Sequence, residues 1–368
     1  MTPVVSRTDG AHDAAHSNQR MARIIRVLNS NPMLVVSGTK LGQEIGATRA
    51  EVWRLVQHLR GLGVHIAGHP ATGYRLETVP DLLLPDAILP LVKGTIFATR
   101  VHHFFKTPST NTAAMQAAAA GESEGALFLA EEQTAGRGRT GHSWHSVAST
   151  GIYCSVVLRP QISPADALPL ALMTGLATAA AVEEITGLRP DLRWPNDLLL
   201  RRAHSGNIPE LGSDNSVLGA RKFCGILTEL NAEAMSVRHV VIGIGINVNQ
   251  EDFPPEIADV ATSLREEGGR VYSRVELTGA LLRHLDRDYS AFKSADPQQA
   301  RAAILRRFEE RSSYARGLRV RVEEEGGYEG TTDGLDEHGF LLVRTEKGTR
   351  TVLHGGVRAL TDADVERF

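Results

Sequence analysis

Residues 125–144 read GALFLAEEQTAGRGRTGHSW, and the change of character half-way along frames the rest of the chain. Residues 125–131 are a short apolar run of strand type. It breaks into Gly136-Arg137-Gly138-Arg139-Thr140-Gly141, with Trp144 just beyond. Three glycines within six positions leave a backbone able to close on a ligand, and two arginines offer paired donors for carboxylate or phosphate oxygens. Such a loop suits an anion, although a lone Gly-Arg pair is common in basic surface turns. Working outward, a strand at 97–105 and an Ala-rich helix at 112–120 precede this stretch. The strand Gly151–Leu158, the long helix Leu168–Thr186 and two strands expected to pair, 224–230 and 240–248, follow it. That mixture predicts an α+β body on a mixed sheet.

Three further clusters stand out in the body. Arg193-Trp194-Pro195-Asn196-Asp197 places an amide and a carboxylate after a stiff proline, a pattern that is often only a turn. Lys222 precedes a strand, where lysines are ordinarily solvated. Gly243-Ile244-Gly245-Ile246-Asn247 has two of the glycines of a dinucleotide fingerprint but neither the third nor a following helix, which excludes that reading. Its glycines instead suggest close backbone approach to a ligand. Residues 204–219 are polar, rich in Gly, Ser and Asn, and without periodicity, as in an extended surface loop.

Ahead of the body, Met21, Ile24, Ile25 and Leu28 recur at helical spacing. Ser37 suits the N-cap of a second helix carrying Leu41 and Ile45. Thr48 and Glu51 form the capping-box pair of a third, with Val52, Leu55, Val56, Leu59 and Leu62 as its inner stripe. Residues 64–76 read as a β-hairpin, so the unit is a winged helix-turn-helix. Thr48, Arg49, Ala50, Arg54 and Gln57 fall on the outer face of the third helix, which fits a major groove; the competing reading is a docking module with a solvated basic surface. Trp53 shares that face, either against a phosphate backbone or capping the core. Pro80, Pro85 and Pro90 then mark a linker that cannot be one continuous helix.

After helices at 277–292 and 298–310, short alternating strands at 319–322, 328–335, 340–344 and 349–353 predict a small C-terminal β-barrel. The chain has 368 residues, 42% of them hydrophobic and 23% charged, as in ordinary globular domains. Its longest apolar runs are too short to span a bilayer, and residues 1–17 form a polar leader without the apolar core of a secretory signal, so a cytoplasmic protein is expected. Cys154 and Cys224 are too few for a disulfide framework or a zinc site and read as buried thiols. The net charge is −3, yet residues 1–80 hold nine Lys and Arg against five Asp and Glu. A basic head on an acidic body hints at a polyanion partner for the head.

Taken together, Ser109-Thr110-Asn111, Gln133, the Gly-Arg loop, Arg193-Trp194-Pro195-Asn196-Asp197, Lys222 with Cys224-Gly225-Ile226-Leu227, and Gly243-Ile244-Gly245-Ile246-Asn247 occur in the order of the biotin–protein ligases. With head and tail included, the chain from about Arg20 to Leu360 resembles the bifunctional biotin ligases that also repress the bacterial biotin operon. The resemblance implies a disordered leader at 1–17, a winged helix-turn-helix DNA-binding domain at 18–80, a mixed α/β ligase domain at 81–315 and a β-barrel at 316–368. It implies an enzyme that activates biotin with ATP and Mg²⁺ as biotinyl-5′-AMP, then transfers it to a lysine of a biotin carboxyl carrier protein. Repression by binding operator DNA and ligand-linked pairing of two chains follow from the same resemblance. Biotin would be bound by Ser109, Thr110, Asn111, Gln133, Arg137, Gly138, Arg139, Trp144 and Lys222, and the nucleotide by Arg139, Asn196, Asp197 and Asn247. Arg137, Arg139 and Lys222 would carry the catalysis, with no dedicated metal site in the protein. The family usually has Lys where Arg193 stands, which puts that residue's role in question. The alternatives are a ligase whose head does not bind DNA, a purely regulatory biotin sensor, and a lipoyl-type transferase.

Overall fold

The structure, a computed structural model, describes residues 9–30, 33–69, 72–78, 81–201, 219–233, 235–294, 296–324 and 326–360. The head is built from helices α1 (Asp9–Asn29), α2 (Gly38–Ile45) and α3 (Arg49–Gly61) and the antiparallel hairpin β1 (Ile66–His69) and β2 (Gly73–Leu76). Helix α1 begins at Asp9, so residues 9–17, expected to fray as part of a leader, are helical. Ser37 accepts the Lys40 N–H and Thr48 the Glu51 N–H, so both N-caps form. The Glu51 carboxylate meets Arg20 of α1 at 2.6 Å and so ties α3 to α1. Met21, Ile24, Ile25 and Leu28 bury against Leu41, Ile45 and the α3 stripe. Leu82 and Phe105, from the body, complete this core, and the Phe105 N–H donates to Asn18 Oδ1.

As the prolines require, the linker is broken into α4 (Pro85–Ile88) and a 3₁₀ turn at Leu89–Val92. Beside it, Arg26 of α1 grips Asp86 at 2.6 and 3.0 Å. The linker also enters a buried charge cluster. Glu131, fully buried, accepts from Arg274 Nη1 at 2.9 Å, the Leu83 N–H at 2.8 Å and His103 Nε2 at 3.0 Å. Burial would raise the Glu131 carboxyl, but Arg274 and His103 outweigh it and hold it at about 2. Asp81 caps the other side of Arg274, accepting its backbone N–H at 2.8 Å.

The body sheet contains β3 (Val101–Phe104), β4 (Leu127–Ala130), β5 (Gly151–Leu158), β6 (Asp191–Arg193), β7 (Asp197–Leu200), β8 (Arg221–Glu233) and β9 (Ser236–Asn247). Its order is β3-β4-β5-β9-β8-β7-β6, parallel only between β3 and β4. The strand expected from residue 97 starts later because Ile96–Ala98 forms a 3₁₀ turn. Alternation sorts the faces: Ile152, Cys154, Val156, Ile242, Ile244 and Ile246 point to the main core, and Val157 and Val241 to the opposite side. Helix α5 (Thr110–Ala119) covers part of that opposite face. Helices α6 (Leu168–Thr186), α8 (Arg274–Ser294) and α9 (Pro297–Arg311) fill the core side, and α7 (Leu264–Gly268) lies between strand β9 and α8 in the chain. The stretch Pro164–Thr186 is long and apolar enough to cross a membrane, against the expectation that no segment would be. It is mostly buried inside the fold, as a core helix is. Both cysteines are free and buried, as read.

The C-terminal unit is an antiparallel sheet of β10 (Arg316–Val322), β11 (Tyr328–Leu335), β12 (Leu341–Thr345), β13 (Gly348–Val352) and β14 (Val357–Ala359), ordered β13-β12-β11-β10-β14. The order leaves β13 and β14 as its two ends, so the ladder described is an open sheet where a barrel was expected. Its Val320, Val322, Leu341, Val343 and Val352 share the body's core, and Trp194 Nε1 donates to Gly339 O across the junction. The expected loop at 204–219 lies, apart from Gly219, outside the described residues.

Candidate functional site

The site forms on the sheet face next to the N-terminus of α5. Ser109 caps that helix, and Gln133 Oε1 accepts from both the Thr110 N–H at 2.8 Å and the Thr110 hydroxyl at 3.2 Å. Ser155 of β5 points to the same place and donates within reach of Thr110 Oγ1 and Asn111 Oδ1. Asn111 Nδ2 donates to Glu229 Oε2 at 2.9 Å and lies near Leu227 O. The result is a buried polar shelf whose members fix one another's orientation, a prerequisite for recognising a small polar ligand.

From Gln133 the chain folds over the shelf. Gly138 N–H donates to His142 O, and Arg137 and Ser143 form an isolated bridge, so the Gly-Arg segment is a small closed loop. Thr140 sits at φ 51°, a left-handed conformation unusual for a residue with a side chain. Trp144 follows and lies flat over the sheet, where a Cβ at Gly245 would stand 2.6 Å from its ring and a Cβ at Gly225 2.9 Å. A Cβ at Gly243 would be 2.2 Å from Asn111 Oδ1. These glycines do permit close approach, but what approaches in the protein itself is Trp144 and Asn111.

Four cations and two acids complete the arrangement. Lys222 Nζ meets Asp197 Oδ1 at 2.5 Å and lies 5.6 Å from the Trp144 ring centre. Arg193 takes the other Asp197 oxygen at 2.7 Å. Burial would raise the Asp197 carboxyl, but Lys222 and Arg193 together hold it below the usual range. Arg139 donates to Asn196 Oδ1 at 3.0 Å, while Asn196 Nδ2 donates to Ile226 O, which fixes that amide. Burial lowers the Arg139 guanidinium pKa, opposed by Asp197. Arg137 reaches Glu229 at 3.1 Å.

A cavity of about 450 Å³ joins most of these groups. Ser109, Thr110, Asn111, Gln133, Arg137, Gly138, Arg139, Trp144, Asn196, Asp197 and Lys222 all line it. Asn247, expected beside the nucleotide, is not among the lining residues: it is buried at the end of β9, donating to Thr262 O and accepting from Gln250. Arg193 also stands outside the lining, and its observed partner is Asp197. Among the described residues no group of three or more His, Cys, Asp or Glu could hold a metal ion, and Asp197 is already paired with two cations. These side chains do not fit a protein-held Mg²⁺.

The sequence profile of the biotin/lipoate A/B protein ligase family matches residues 104–247, the shelf, the loop and the strands beneath them. The profile of the biotin protein ligase C-terminal domain matches residues 317–357. A bifunctional ligase/repressor of Bacillus subtilis is 32% identical over 86% of this chain and 91% of its own length. The chain belongs to the biotin protein ligase family. A biotin–[acetyl-CoA-carboxylase] ligase of Mycobacterium tuberculosis is 34% identical over 67% of this chain and 84% of that protein. The solved biotin protein ligase of Aquifex aeolicus in complex with biotin and ATP superposes with a TM-score of 0.57 at 30% identity, covering 71% of this chain and all of that one.

For this family member, the sequence reading missed Glu229 and the contribution of the C-terminal unit. Glu323, Gly355 and Gly356 line the cavity from the end of β10 and the turn that leads into β14. Gly355 has φ 82°, and a Cβ there would meet Glu323 O at 2.6 Å. A Gly-Gly pair between strands was the available signal, although such pairs also mark plain turns. Glu229 could have been found by parity, since it shares a sheet face with Gly225 and Leu227.

Proposed function

We propose that the chain is an ATP-dependent ligase that joins the biotin carboxylate to AMP and passes the biotinyl group to a lysine of a biotin carboxyl carrier protein. The observation that carries this is the single cavity uniting a polar shelf, an aromatic wall and three cations in a member of the biotin ligase family. In this reading the fused rings and ureido group of biotin lie against Trp144 and the shelf of Ser109, Thr110, Asn111 and Gln133. Arg137, Gly138 and Arg139 close over the ligand, while Asn196 and Asp197 lie toward the nucleotide.

The chemistry follows from charge. Attack of the biotin carboxylate on the α-phosphorus of ATP forms a mixed anhydride and expels pyrophosphate, with negative charge building on the phosphoryl oxygens. Lys222, Arg137 and Arg139 are cations gathered at one cleft, where they can stabilise that charge. Each already has an anionic or amide partner in the protein, so substrate anions replace those partners rather than meeting bare charge. An acceptor lysine amine, in its neutral form, then attacks the acyl carbon and AMP departs. The closed loop keeps water from doing the same.

For the head, Thr48, Arg49, Ala50 and Arg54 are exposed on one side of α3 with Gln57 half-buried beside them, and the hairpin follows. This supports a winged helix-turn-helix that binds operator DNA as a biotin-dependent repressor, in a cytoplasmic protein with domains at about 18–80, 81–315 and 316–368. Ligand-linked pairing of two chains belongs to the same reading, and sedimentation with and without biotin and ATP tests it. The test of the activation step is mass spectrometry of the full chain incubated with biotin and Mg-ATP. Biotinyl-5′-AMP retained on the protein supports the ligase, and its absence with intact folding refutes it.

A further inference from the structure

We propose that Glu229 is a positioning residue of this site, one carboxylate that sets the Gly-Arg loop and the ligand shelf together. The inference rests on the reading of the cavity as the biotin site. Glu229 stands on β8 in register with Val241 of β9, with its side chain 22% exposed. Its two oxygens serve different elements: Oε1 meets Arg137 Nη2 at 3.1 Å and Oε2 accepts from Asn111 Nδ2 at 2.9 Å. Asn111 has no freedom to turn elsewhere, because its Oδ1 accepts from Ser155 Oγ and packs where a Cβ of residue 243 would be. The carboxamide is thereby oriented with its NH₂ group toward Glu229. Arg137 is half-exposed at 53% and sits on a three-glycine loop, so without an anchor its long side chain would sample many rotamers. Glu229 is the anchor. It holds the loop across the cavity before any ligand is bound, and its charge is the one that an incoming carboxylate or phosphate must displace to take Arg137.

Glu229→Gln separates the two duties, since the amide still accepts from Asn111 but no longer attracts Arg137 as an ion. Limited trypsin digestion of the ligand-free full chain reads the loop directly. Cleavage after Arg137 or Arg139 is expected to be about threefold faster in E229Q, the scale of a half-exposed ion pair. With ATP and labelled biotin, loss of biotinyl-adenylate from the protein is expected to quicken by a similar factor. Combining E229Q with Arg137→Ala should add nothing to Arg137→Ala alone, because the pair acts as a unit. The thermal midpoint of E229Q should stay within the range of a surface substitution, which separates positioning from a merely structural role. Equal trypsin rates in E229Q and the wild type would overturn the proposal. The digestion needs no catalysis, so it decides this inference even where absence of adenylate in the wild type would have refuted the ligase reading.

Discussion

At the scale of single residues the site is defined by what fits beneath Trp144. Gly225 of β8 and Gly245 of β9 leave only the space that the indole occupies. Gly245→Ala should therefore push Trp144 off the sheet, costing about 1–3 kcal/mol in denaturant unfolding and raising the KM for biotin more than that for ATP. Equal effects on both substrates would place Trp144 elsewhere in the chemistry. Arg139 differs in kind, because it is partly buried and bonded to Asn196 rather than to an acid. Arg139→Ala should leave the fold intact while adenylate escapes into solvent, measured as free biotinyl-AMP accumulating without acceptor. Retention equal to the wild type would remove Arg139 from the loop's closing function.

At the scale of elements, legibility followed local physics. The α3 stripe could be read because periodicity and the Thr48 cap agreed, whereas α6, buried nearly all round and without a side-chain N-cap, was legible from its length and the left-handed Gly187 that ends it. The strands β6, β7 and β14, of three or four residues, are too short for alternation to show. Asn247 stands apart from the cavity lining for a related reason. Parity places it on the face of Gly243 and Gly245, but it stands at the strand end where Gln250 and Thr262 engage its amide, a tertiary fact that spacing cannot encode. The cavity's local motifs were legible because each combined glycine with a charged or amide group. The Glu323, Gly355 and Gly356 wall comes from a sheet more than a hundred residues away along the chain from the loop it faces. On α3, Arg54 is exposed and lies 3.7 Å from Glu51, close enough for only a weak pair. If the helix enters DNA, Arg54→Ala should weaken operator binding and reduce the slope of log K against log salt by about one when the lost contact is a phosphate. An unchanged slope would give Arg54 no phosphate.

At the scale of the whole molecule, the linker and body meet around Glu131 and Arg274, both buried. Glu131→Gln leaves Arg274 with Asp81, 3.5 Å away, as its remaining charged partner and should cost about 3 kcal/mol in urea unfolding at pH 7. The folded carboxyl titrates at about 2 against 4.5 for the free group, so its stabilisation is complete above pH 4.5 and is lost as pH falls toward 2. The acid-side decline should be visibly shallower in E131Q; an identical decline in both proteins would assign it to other carboxylates. The same junction carries the linker residues Asp81 and Leu83, which flank Leu82 of the head's core. One assay addresses the chemistry of the cavity most directly. The purified full chain is incubated with Mg-ATP, labelled biotin and a biotin-acceptor domain, and the acceptor is mapped by mass spectrometry. Label on a single acceptor lysine, lost with Lys222→Ala, is the predicted result. A wild-type chain that binds biotin yet leaves the acceptor unlabelled would contradict the ligase and favour a sensor.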